Sequence, residues 1–322
     1  MFKRYLVLVV ATLFAVTAFA ENSYQKEESA TKGEISLPYF NMDSWITRTF
    51  KESGLIGGNT KTLYAIGPTK SIAGPVALNE PSTPWATSNV LAKVGVTKGS
   101  NTVFPEKRGS GLAARLETRL EEVVVLGMIN LKVVATGSIY VGKTLEPVRD
   151  TKNPMSKLQQ GIPFSKHIKA LKFDYKTITG GKAVKGTGFG SPTKLNQVSH
   201  SEVMLLLQKR WEDKEGNLYA KRVGTAHVKF EKSTPDWING YTLPVLYGDI
   251  TTNPSYKSYM NLTSNMYGRN SKGENVPIKE VGWGAPSDSI THMTLRFSAG
   301  DGGAYIGAPG DMLWVDNVKL IE

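Results

Sequence analysis

From Ile35 onward the chain alternates apolar and polar residues in short runs with a period of two, the pattern of strands that bury one face. Lys169–Lys176 sends Leu171, Phe173 and Tyr175 one way and Lys172, Asp174 and Lys176 the other. Thr225–Phe230 and His292–Phe297 repeat the alternation. Val203–Leu207 is continuously apolar and short, which predicts a central strand. The 179–190 and 300–310 stretches are rich in glycine and read as turns. Leu112–Val125 begins with good helix formers. Leu112, Ala114 and Leu116 nevertheless alternate with Ala113, Arg115 and Glu117, and its end is β-branched, so it reads as strand. Many short strands and weak helical signals predict an all-β sandwich.

The first twenty residues break this pattern. Lys3 and Arg4 precede an apolar run, Tyr5–Val16, and Ala18-Phe19-Ala20 supplies small residues at a cleavage site. This predicts a signal peptide cleaved after Ala20 and export to the periplasm or cell surface. The run is too short for a comfortable membrane span, so no stable membrane insertion is expected after cleavage. Residues 21–34 are polar and unpatterned, a flexible leader. Residues 35–322 then read as one domain, with a sub-boundary near Gly99 as the alternative. The chain has no cysteine, which excludes disulfides, thiolate catalysis and cysteine-ligated zinc. Its formal charge is +11, or +9 without Lys3 and Arg4. That surplus would suit polyanions, acidic glycans included, or an anionic membrane surface, but scattered basic residues first of all give solubility. An exported chain without an aromatic–basic motif is not expected to bind nucleic acid.

Candidate chemistry is sparse. The four histidines, His167, His200, His227 and His292, lie outside nucleophile-elbow and zinc-protease contexts. His227 and His292 sit opposite the apolar face of their strands and read as exposed. Glycoside hydrolysis needs two carboxyl groups at a defined separation, and no pair stands out among 28 acidic residues. Glu117, Glu121 and Glu122 read as a strand face. Gly186, Gly188 and Gly190 read as a flexible turn rather than a phosphate cradle. A sugar ring has an apolar face that stacks on aromatic rings. Trp45 and Trp314 sit in strand-like segments and read as core. Trp211, Trp237 and Trp283 sit in turn-like contexts and are the candidate glycan-stacking residues.

Several segments together resemble one family. Trp85-Ala-Thr-Ser-Asn89, Gly111-Leu-Ala-Ala-Arg-Leu-Glu-Thr118 and Ala135-Thr-Gly-Ser-Ile-Tyr-Val-Gly142 are similar, in order, to elements of the putative carbohydrate metabolism domain. Gly161-Ile-Pro-Phe164, Lys169-Ala-Leu-Lys172 and the close from Gly307 to Leu320 continue the series, with His167-Ile168 departing from the usual residues. The resemblance spans roughly residues 37–322. It implies a jelly-roll-like β-sandwich of exported bacterial proteins with a sugar context, and it transfers no catalytic residue. Likeness to jelly-roll carbohydrate-binding modules also implies a structural calcium between the first and last strands, held by Asp43 and Asp316 with Asn41 or Asn317 as neutral ligands. The expected function is glycan or polysaccharide binding. The alternatives are a glycoside hydrolase or lyase with unidentified carboxylates, and a non-catalytic surface or assembly protein.

Overall fold

The computed structural model describes residues 32–125 and 129–322. The signal segment and nearly all of the leader lie outside the described residues.

Two sheets carry the architecture. The shorter runs Ile238–Pro244, Ala170–Ile178, Met312–Ile321, Gly111–Glu117, Val103–Arg108, with Glu34–Ile35 added along Met312–Ile321. The longer runs Leu158–Gln160, Ser138–Thr144, His292–Ser298, Ser201–Glu212, Leu218–Phe230, Asn275–Trp283, Met266–Arg269, with three short strands alongside. Neighbours pair antiparallel along both paths except Leu218–Phe230 with Asn275–Trp283, which run parallel. A parallel pair needs a long crossover, and here the 231–274 segment supplies it, lending Ile238–Pro244 to the shorter sheet on the way.

The alternation seen in the sequence builds the core between the sheets. Leu171, Phe173 and Tyr175 of the shorter sheet, with Leu313 and Val315, pack on Val203, Leu205, Leu207, Leu295 and Phe297 of the longer. Phe173 meets Phe297 edge to face at 5.2 Å between centroids. Each such side chain contributes about 1.5–3 kcal/mol by leaving water. Trp45, Trp85 and Trp314 are buried. Val203–Leu207 lies in the middle of the longer sheet, as expected of a continuous apolar run. Leu112–Val125 is indeed extended, divided at Thr118 between Gly111–Glu117 and Arg119–Val125. Among the described residues there is no α-helix, only three short 3-10 turns. The glycine-rich 179–190 stretch departs from the expected turn. It contains the strands Lys182–Lys185 and Thr187–Phe189, because its backbone groups find partners on neighbouring strands.

The chain's two described ends are joined. Glu34 and Ile35 pair with Ile321 and Leu320, and the Val318 amide donates to the Phe40 carbonyl at 3.0 Å. Smaller sheets, including Val90–Val94 with Val96–Ser100 and Arg119–Val125 with Ile129–Ala135, stand over the outer face of the longer sheet.

Candidate functional site

A strand that buries every second residue presents the others to the opposite face. On the longer sheet those others form a grid. One row reads Tyr140, Arg296, Met204, His227 across four strands, and the next reads Ser138, Ser298, Glu202, Lys229. The grid is the floor of a cleft of about 760 Å³. Its walls come from the small sheets, from the 150–158 segment and from the turn carrying Tyr259.

Glu202 is the centre of the floor. It is 4% exposed. Its Oε2 lies 3.1 Å from His227 Nε2, and Arg296 donates to its Oε1. Burial alone would raise this carboxyl, but Arg296, His227 and Lys229 outweigh it and hold it at about 2. Lys229 donates to Asp301 Oδ2 at 2.7 Å, and the same carboxylate accepts from the His200 amide. Tyr259 stands edge-on to His227 at 4.8 Å, and Lys229 Nζ lies 5.1 Å from its ring centre. Burial raises the hydroxyls of Tyr140 and Tyr259. Met204 and Leu206 add an apolar patch.

Charge in the cleft is matched group by group. Among the described residues lining it, Lys98 pairs with Glu121, Lys157 with Asp150, Arg222 with Glu280, Lys229 with Asp301 and Arg296 with Glu202. The +11 of the chain is therefore not concentrated here. The lining offers many donors and acceptors without a free cation.

His227 does lie opposite the apolar face, as read from its strand. It is buried at 8% exposure rather than exposed, because the Tyr259 turn covers it. His292, also read as exposed, is half-buried, and burial with Arg210 depresses it to about 3. Period-two reasoning reached neither Glu202 nor Arg296 as site residues. Their only signal was a charged residue on the polar side of each of two adjoining strands.

The three candidate tryptophans are not in this cleft and do not share a site. Trp211 lies within Ser201–Glu212, 42% exposed, with its ring near parallel to Tyr219 at 5.8 Å. Trp283 ends Asn275–Trp283, with the Arg222 guanidinium 5.6 Å from its ring centre. Trp237 precedes Ile238–Pro244, and the Arg108 guanidinium covers its ring at 3.8 Å.

The same arginine meets one of the two acids considered for calcium. Arg108 Nη1 donates to Asp316 Oδ2 at 2.6 Å and to Asp174 Oδ2 at 2.9 Å. Asp43 is close by, accepting from the Leu112 amide and from Asn41. Asn317, exposed at the surface, donates its Nδ2 to Asp174. The positive charge between these strand ends is thus a guanidinium, and among the described residues no group of three or more His, Cys, Asp or Glu is arranged to hold a metal.

Comparison with known proteins adds the following. A crystal structure described as a "putative glycoside hydrolase" from Bacteroides thetaiotaomicron VPI-5482 is similar at 16% identity and a TM-score of 0.46, covering 81% of this chain and 74% of that one. Another, described in the same words and from Bacteroides vulgatus ATCC 8482, is similar at 16% identity and a TM-score of 0.43, covering 88% and 98%. No curated protein matches the sequence. The family model described as "Putative carbohydrate metabolism domain" matches residues 76–321, a stretch that contains every floor residue of the cleft, and the chain belongs to that family.

Proposed function

We propose that the protein binds a neutral glycan in the cleft over the outer face of its longer sheet. One observation carries this reading: a large cleft, apolar over most of its surface, in which every lining lysine and arginine among the described residues already has its carboxylate. Such paired groups are held in place before a ligand arrives. They still have lone pairs and N–H groups to exchange with hydroxyls, and they do not demand a charged ligand. Met204, Leu206 and the Tyr259 ring add apolar surface for the C–H face of a sugar. Glu202, held ionised by Arg296, His227 and Lys229, can accept hydrogen bonds from sugar hydroxyls. The signal-like segment before Glu21 supports binding outside the cytoplasm.

A glycan array, followed by calorimetry with the strongest neutral hit, tests the reading. Glu202→Gln and Tyr259→Ala should each weaken binding at least tenfold with the fold retained, and no reducing ends should appear. Binding confined to acidic glycans, or affinities unchanged in both variants, overturns it. Release of reducing ends moves the protein to the hydrolases or lyases.

A further inference from the structure

The longer sheet outruns the shorter one. Val203, Leu205 and Leu207 face the core, and by strand alternation Lys209 and Trp211 continue on that same face. Trp211 is nevertheless 42% exposed. Its directly opposed neighbours in the sheet are Tyr219 and then Lys279, and one row inward Lys209 opposes Lys221. Strand spacing sets neighbours in a row roughly 5 Å apart and the two rows roughly 7 Å apart. The result is an aromatic pair bordered by three lysines on one open face.

The lysines are placed against their own interest. Like charges directly opposite on one face of a sheet repel. Lys209 is relieved by Asp288 at 3.2 Å. Lys221 and Lys279 are exposed, and neither has a carboxylate within 4 Å among the described residues, Lys279 lying instead 5.7 Å from the Tyr219 ring centre. The cleft pairs each of its cations in direct contact, whereas on this face Lys221 and Lys279 lack a contact ion pair beside the stacked rings, Lys221 sharing the field of Asp288 with Lys209 and the Tyr219 hydroxyl meeting Asp213.

We infer that this face is a second glycan-binding site, separate from the cleft, and that it takes a chain of acidic sugars. Ring faces stack on Trp211 and Tyr219 while carboxylate or sulfate groups sit against Lys221 and Lys279. The match is one of charge complementarity, and it accounts for both the exposed aromatic and the unpaired cations.

Affinity electrophoresis and calorimetry with polygalacturonate provide the test, with phosphatidylglycerol vesicles run in parallel. The wild-type chain should bind polygalacturonate with an affinity that falls steeply with salt. Lys221→Glu/Lys279→Glu should weaken it at least tenfold and Trp211→Ala about fivefold, with unchanged melting curves. Glu202→Gln should leave it intact, which separates this site from the cleft. The proposal is overturned by no polygalacturonate binding, by binding indifferent to the lysine variant, by loss in Glu202→Gln, or by capture on the vesicles alone.

Discussion

Buried side chains at single positions show how this fold uses polar groups. Asn89 spends its whole capacity on backbone. Its Nδ2 donates to the carbonyls of Tyr64 and Val103, and its Oδ1 accepts from the amides of Thr102 and Val103. That saturation gives the Trp85–Asn89 segment its structural meaning. Asp311 is the contrary case. It is 4% exposed, and burial, with added repulsion from Asp301, raises its carboxyl to about 6 despite the Gly181 amide that donates to it. Folding therefore holds a proton that the unfolded chain releases near pH 4. The contribution to stability is complete below about pH 4 and is lost as pH rises through 6. Asp311→Asn keeps an oxygen for Gly181 and carries no charge. It should raise stability at pH 7 by about 1–2 kcal/mol, a figure discounted for nearby solvent, and make no gain at pH 4. Urea melts of both proteins at the two pH values check this, and a gain independent of pH would refute it.

At the scale of elements, tight approach between strands is the limiting quantity. Ser138–Thr144 turns against Leu158–Gln160 at Gly142, where φ is 144° and an added Cβ would lie 1.9 Å from the Gln159 carbonyl oxygen. Gly142→Ala must push that strand away. It should cost on the order of 2–4 kcal/mol, read as a lower denaturation midpoint. An unaltered midpoint would mean the pair relaxes freely. Elements were also the most legible level of the sequence. Leu171, Phe173 and Tyr175, or Val203 to Leu207, announced their strands because burial on one face leaves a period of two. The site was not legible for the same reason. A polar position on the far side of a strand reads alike whether water or a second layer covers it, so Glu202, His227 and Arg296 looked like a solvated face. Trp211 misled in another way. Its polar neighbours suggested a turn, but they belong to a strand that projects past its covering sheet.

For the molecule as a whole, the two described ends are tied by strand pairing and by the Glu34–Lys319 ion pair, and beside the last strand Arg108 bridges Asp174 and Asp316. With a guanidinium already at that position, the melting temperature should be the same in calcium and in chelator. A rise in calcium that Asp316→Ala abolishes would instead place a cation there. The proposed export is tested at the same scale: N-terminal sequencing of the extracytoplasmic fraction should find a chain beginning at Glu21, and an intact Met1 there would contradict it. The parallel pairing of Leu218–Phe230 with Asn275–Trp283 has a kinetic consequence. Tyr259, the roof over His227, rides on the 231–274 crossover, which must pass around the sandwich before its second strand can dock. Contacts so distant along the chain are slow to form, on the order of milliseconds to seconds in all-β domains. The sheet floor can thus assemble while its roof is still open, and a refolding chain should regain its core aromatic packing before it regains a closed cleft.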